Sequence, residues 1–319
     1  MQLPPSLRAA IDRELEGIAL ADLARASDAL SQRYRAEVQD GRLHLADEAA
    51  ARAYLTTRLP ATFAAISAAL SAVAEGRPDF APRMALDAGA GPGTATWAAA
   101  QQWDSLEDAT LVEASSAVRA VGQRLGLPVT HPKWLAGRLD AALADLSPSD
   151  LVLLAYVLDE LPEAAREPLI RQLWALTADT LLIIEPGTPS GWKRILHARD
   201  LLIQAGAHIL APCPHTRPCP LAAPDWCHFS ARVVRSRLHR EAKGGTVPWE
   251  DEKFIYVAAS RQPALKREAR ILAPPRRSKA DVALKLCQTD GSADEHVVAK
   301  RDRNAFKSTR KLDWGDTFR

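Results

Sequence analysis

Apolar residues recur every three or four positions through the first 78 residues (Leu7, Ile11, Leu15, Ile18, Leu20, Leu23), with more between Tyr54 and Val73. That spacing sets them on one face of a helix, and the abundant alanine favours the same state. Breaks are expected at Asp40-Gly41 and at Pro60. Residues 1–78 read as a helical lead with no chemistry visible in it.

From Pro82 the pattern changes to short apolar runs alternating with helical stretches. Met84–Asp87, Ala109–Glu113, Asp150–Val157 and Thr180–Glu185 read as strands, and Leu127–Thr130 as a weaker one. Helical spacing fills 93–102, 116–125, 162–176 and 192–205. Strands that are apolar on both faces, each followed by a helix, predict a parallel sheet covered on both sides, an open α/β fold. After Gly206 the alternation stops. Residues 211–229 carry five prolines and three cysteines without a usable period. Ser230–Lys243 reads as a basic helix and Phe254–Ser260 as the last strand of the sheet. The expected organisation is a helical region 1–78, an α/β domain 79–260 with a Cys-rich insertion at 211–229, and a basic region 261–319.

At 47% hydrophobic and 25% charged over 319 residues, the chain has ordinary globular composition, which excludes disorder throughout. No run approaches the roughly 18 consecutive apolar residues of a membrane span, so no membrane partner is expected. The opening residues hold Asp12, Glu14 and Glu16 and no apolar core, unlike a signal peptide or presequence. A cytoplasmic location is the expectation. The net charge of +2 hides an asymmetry. Residues 1–230 carry 20 Lys and Arg against 27 Asp and Glu, a balance of −7, and residues 231–319 carry 21 against 12, a balance of +9. A basic tail on an acidic body suits a polyanion such as nucleic acid, or is a solvated surface.

The first candidate site is Leu86-Asp87-Ala88-Gly89-Ala90-Gly91-Pro92-Gly93-Thr94, where a strand runs through a glycine turn into a helix. Glu113 ends the next strand, where an acid commonly holds ribose hydroxyls. A dinucleotide fingerprint would not ask for an acid before the first glycine. Asp-x-Gly-x-Gly-x-Gly with an acid closing the following strand instead resembles motif I of class I S-adenosylmethionine-dependent methyltransferases. That resemblance implies a Rossmann-like open sheet. It also implies cofactor contacts from Gly89, Gly91, Gly93 and Glu113, with Asp87 anchoring the loop. Asp159 and Glu160 follow the fourth strand, at the end that would face the transferred methyl, although Asp159 would serve equally as a helix cap. Glu185–Pro189 is a further candidate. No Asn/Asp-Pro-Pro-aromatic run follows the fourth strand and no cysteine precedes residue 213, so no catalytic residue is assigned.

The only four cysteines are Cys213, Cys219, Cys227 and Cys287, three of them within fifteen residues. Such clustering favours metal over disulfides. The short CxxC pairs of zinc ribbons and ferredoxins are absent, and four soft ligands suit zinc or an iron–sulfur cluster alike. His215 and His228 are possible substitutes, and buried cysteines acting as small hydrophobes are the plain alternative.

The glycine loop, the Glu185–Gly191 element, the Cys213–Phe229 segment and the late PPRRSK and Leu286-Cys287 together resemble the mitochondrial small-ribosomal-subunit assembly methyltransferase-like family. The similarity runs from about residue 80 to the C-terminus. It implies a [4Fe–4S] cluster on Cys213, Cys219, Cys227 and Cys287, with zinc as the alternative, and a small ribosomal subunit and its rRNA as partners, with no DNA expected. Arg232–Lys243, Arg270–Lys279 and Lys300–Lys311 would meet phosphates, and Phe306 and Trp314 would stack on bases or fill a small core. Without a visible presequence the chain reads as a bacterial-type relative. The implied functions are rRNA methylation, subunit assembly without catalysis, or both. A small-molecule methyltransferase with a zinc knuckle is the outside alternative.

Overall fold

A computed structural model describes residues 1–36 and 43–319; the break expected at Asp40-Gly41 lies outside the described residues. Four helices come first: α1 (Pro5–Glu14), α2 (Leu20–Arg35), α3 (Glu48–Thr57) and α4 (Leu59–Gly76). Asp47 caps α3 by accepting from the Ala50 amide at 2.8 Å. The break near Pro60 falls at Arg58, and Pro60 sits in the first turn of α4, where its missing N–H is not needed. Helix α4 is long and apolar enough to cross a membrane by length and composition, and 61% of it is buried in the fold. It packs across α5 and the sheet as a core helix.

The chain then runs β1 (Met84–Ala88), α5 (Thr94–Gln102), β2 (Asp108–Glu113), α6 (Ser116–Leu125), β3 (His131–Ala136), α7 (Leu139–Ala142), β4 (Ser149–Ala155), α8 (Glu163–Ala175), β5 (Thr177–Pro186), α9 (Pro189–Gln204) and β6 (His208–Ala211). Strand β7 (Phe229–Val234), helix α10 (Arg237–Ala242) and the long β8 (Trp249–Ser260) complete this layer. Strand order is β3-β2-β1-β4-β5-β8-β6. The first five are parallel, and β8 runs antiparallel to β5 and β6. The leading half of β8 pairs with β7 instead. This is a Rossmann-like open sheet. The order reverses between β1 and β4, and the crevice beyond their carboxyl ends is where such sheets bind ligands.

A second, antiparallel sheet follows: β9 (Ala269–Ile271), β10 (Arg276–Arg277), β11 (Asp281–Cys287) and β12 (Ala293–Ala299), then helix α11 (Arg303–Thr309) and β13 (Thr317–Phe318). Ile271, Val282, Leu284, Leu286, Val298 and Phe306 form its own core. Phe306 is thereby a packing residue and is not open to a base.

Three elements differ from the sequence reading. Strand β3 lies at His131–Ala136, just past the expected Leu127–Thr130. It is an edge strand whose side chains are exposed or half-buried, so it has no apolar run to detect. Strand β6 follows Gly206, where the alternation was expected to stop. The expected helix over Ser230–Lys243 is half strand: Phe229 and Val233 point inward from β7, and only Arg237–Ala242 is helical, capped by Ser236. Pairing with β8 overrides the helical propensity of the segment.

Candidate functional site

Strand β1 delivers Asp87 into the core, 1% exposed. Its carboxylate accepts from the Thr96 amide at 3.0 Å and the Thr96 hydroxyl at 2.8 Å. That double contact fixes the glycine loop against the first turn of α5. Burial pushes the Asp87 carboxyl up to about 6, against the hydrogen bonds from Thr96. Gly89, Gly91 and Gly93 all have positive φ. A side chain at Gly89 would meet Val157 Cγ2 at 2.7 Å, whereas the space over Gly91 is open. Glu113, at the end of β2, accepts from the Gly91 amide at 3.0 Å and the Ser115 amide at 2.8 Å. Asp87, the three glycines and Glu113 therefore stand together at the switch point.

Of the acids after β4, Asp159 is buried and Glu160 lies 3.5 Å from His44 Nδ1. Burial, helped by the Asp159 charge, pushes Glu160 up to about 8. Glu185 is consumed internally. It accepts from the Leu158 amide at 3.0 Å and meets Arg194 Nε at 2.6 Å, tying the ends of β4 and β5 to α9. Burial and the nearby Asp159 push it up as well. Thr188 caps α9, and Gly187 abuts the Lys253 backbone. The Glu185–Pro189 element is thus a junction, with Glu185 engaged by Leu158 and Arg194 and Thr188 by the Gly191 amide.

Sequence reasoning missed the roof of this crevice. Tyr156, directly after β4, holds φ of 60°, a strained value for a non-glycine residue. Its hydroxyl donates to Glu252 at 3.3 Å, and Arg58 Nη2 reaches the same oxygen at 3.4 Å. The Arg58 guanidinium lies 5.5 Å from the centre of the Tyr34 ring, and Tyr34 meets His44 edge-on. Tyr54 lies within 3.2 Å of the Thr94 hydroxyl at the start of α5. Burial raises all three phenols. Three of the four tyrosines in the chain converge here, a compositional signal that was available in the sequence.

Cys213, Cys219, Cys227 and Cys287 line a single cavity with Arg199, Arg270, His215, Trp192 and Tyr256. All four are free thiols, with Cys227 and Cys287 buried and the other pair half-buried. Burial raises every one, Cys287 to about 12. His215 Nε2 sits 3.3 Å from Cys287 Sγ, whereas His228 stacks on Trp226 instead. Among the described residues, no group of three or more His, Cys, Asp or Glu side chains is drawn together as a metal-ion ligand set.

Residues 48–319 match the family model described as mitochondrial small ribosomal subunit Rsm22. The chain is 30% identical over 283 residues to the human ribosome assembly protein METTL17, mitochondrial, spanning 82% of this chain and 61% of that protein. It is 26% identical over 195 residues to Rsm22-cox11 tandem protein 2, mitochondrial, of Schizosaccharomyces pombe, spanning 47% of this chain and 26% of that protein. A putative RNA methyltransferase of Pyrococcus horikoshii overlays with a TM-score of 0.41 at 15% identity, covering 61% of this chain and 83% of that one. These findings overturn the expected bacterial-type, cytoplasmic chain, because the matching relatives are mitochondrial. Of the acids near the start of the sequence, Glu14 has a packing role: it pairs with Arg124 at 2.7 Å and with Arg52, docking α1 on its neighbours.

Proposed function

The chain belongs to the Rsm22 family of mitochondrial small ribosomal subunit proteins, and from that premise we propose that it is an S-adenosylmethionine-binding assembly factor of the small ribosomal subunit. The observation that carries this reading is the geometry at the switch point. Gly91 leaves open space above the loop, Glu113, held by the Gly91 amide, stands beside it to take ribose hydroxyls, and Asp87 keeps the loop in place from below. When bound, S-adenosylmethionine supplies an electrophilic methyl group. Gly89 brings the backbone close to the ligand, and Tyr54 with Thr94 closes the side nearest α3.

Catalysis is the second reading, and Glu160 favours it. A carboxyl pushed up to about 8 is suited to exchanging a proton near neutrality. The roof favours the assembly reading: Tyr156 and Arg58 are both engaged with the Glu252 carboxylate rather than left free for an acceptor. Mapping methylated positions of small-subunit rRNA in cells lacking the protein separates the two. A missing mark makes it an enzyme; stalled subunits with every mark present make it a factor.

The four cysteines suit a [4Fe–4S] cluster, with zinc as the alternative, because four soft donors from two separate stretches of chain line one cavity. Cys213, Cys219 and Cys227 would hold it from the loop between β6 and β7, and Cys287 from the end of β11. Exposed Lys279, Lys300, Arg301, Arg303 and Lys307 around the second sheet are the proposed rRNA contacts. Iron and acid-labile sulfide analysis of anaerobically purified protein tests the cluster. About four of each support it, and one zinc without sulfide replaces it.

A further inference from the structure

The thiol cavity is lined by two buried cations, neither of which has a buried carboxylate partner among the described residues. Arg199, on α9, is 2% exposed and Arg270, on β9, is 6% exposed. Arg199 Nη2 donates to the carbonyls of His215 at 2.9 Å and Arg217 at 2.7 Å, and its Nε is buried without a partner. Its carboxylate contact is with Asp200, which is mostly exposed. Arg270 donates to the carbonyls of Pro212 at 3.2 Å and Gly315 at 2.6 Å. Among the described residues it forms no ion pair within 4.0 Å. It also lies directly across the strand pair from Cys287. Carbonyl oxygens satisfy donors but carry no net charge, so two buried guanidinium groups without buried anions are costly as they stand.

We propose that Arg199 and Arg270 are the counter-charges of a dianionic four-thiolate centre, and that they position its loops. The inference rests on the reading that the four cysteines hold a cluster or an ion. Four thiolates around a doubly charged core leave a dianion, which two guanidinium groups balance. The same two side chains clamp the backbone on either side of the thiols. Arg199 holds the loop between Cys213 and Cys219, and Arg270 joins the residue before Cys213 to the C-terminal segment. A site built this way favours the more negative state of the centre, because each added electron is met by fixed positive charge.

The test uses full-length protein reconstituted anaerobically with ferrous iron and sulfide, alongside Arg199→Met, Arg270→Met, Arg199→Lys and Arg270→Lys. Metal and sulfide content are read first. If the unaltered protein loads neither iron nor zinc, the four-thiolate reading is wrong and the counter-charge falls with it. With a loaded cluster, the midpoint potential is expected to drop in both Met variants and to stay near the original in both Lys variants. If a Met variant cannot retain the cluster, its Lys counterpart decides: retention supports the charge role and loss overturns it. If the centre takes zinc, chelator competition replaces the potential, with affinity falling roughly 10–100-fold in the Met variants and holding in the Lys variants. Potentials or affinities unchanged in the Met variants, with the centre intact, refute the proposal while leaving the centre itself standing.

Discussion

The Glu113 carboxylate accepts the backbone N–H of Gly91 at 3.0 Å, so the acid that ends β2 and the middle of the glycine loop form one unit. A ligand that takes up Glu113 necessarily meets the loop, and a change at either residue is felt at the other.

Glu113→Ala and Gly91→Asp are both expected to weaken S-adenosylmethionine binding by about 10–100-fold, the worth of one charge-assisted hydrogen bond. Gly91→Asp adds a second carboxylate beside Glu113 and a side chain at a φ of 54°. Isothermal calorimetry reads both. Affinity equal to that of the unaltered protein in both variants would remove the cofactor assignment.

Glu160 predicts a pH signature. Its folded carboxyl is raised from the usual 4.5 to about 8 by burial, so the folded chain holds this proton more tightly than the unfolded chain does. The resulting stability is present in full at acid pH and is lost as pH rises from about 5 to 8. Glu160→Gln removes this contribution, so its thermal midpoint declines less than the original across that window. Parallel curves would show that Glu160 titrates normally.

Arg58 and Glu252 predict a coupling. Removing either partner strands the other, with an expected cost of about 3 kcal/mol by urea unfolding. The figure is taken at the low end because a quarter of the Arg58 side chain remains exposed. The double variant Arg58→Met with Glu252→Gln is expected to cost less than the sum of the singles. Strict additivity would show that the pair does not hold the helical lead onto β8.

The rRNA contacts predict a salt signature. Replacing Lys300, Arg301 and Arg303 with alanine is expected to lower affinity evenly across RNA sequences. The logarithmic salt slope should flatten by about 0.7–0.9 for each phosphate that is no longer neutralised. Filter binding to small-subunit rRNA fragments at several salt concentrations measures it. A slope identical to the original would place the RNA surface elsewhere.

Much of this was legible from local pattern. The glycine loop between β1 and α5 announced itself because a strand, a turn that needs positive φ and a helix start are all consecutive in the chain. Helix α6 was readable for a similar reason: its apolar stripe is complete within ten residues. Strand β3 was misplaced because an edge strand needs no apolar run, and β7 was read as helix because its strand state is imposed by β8, fifteen or more residues later.

The sequence alone determined the parallel α/β body, the identity of the loop acids and which cysteines are available, since each depends on residue type and short-range order. Only the tertiary structure decided what those residues meet. It spent Glu185 on Leu158 and Arg194, gathered Tyr34, Arg58, Tyr156 and Glu252 from distant segments into one roof, and set Arg199 and Arg270 beside four thiols. The physical reason is that a side chain's charge state and hydrogen-bond partners depend on burial and on neighbours far away in the chain, which no local spacing encodes.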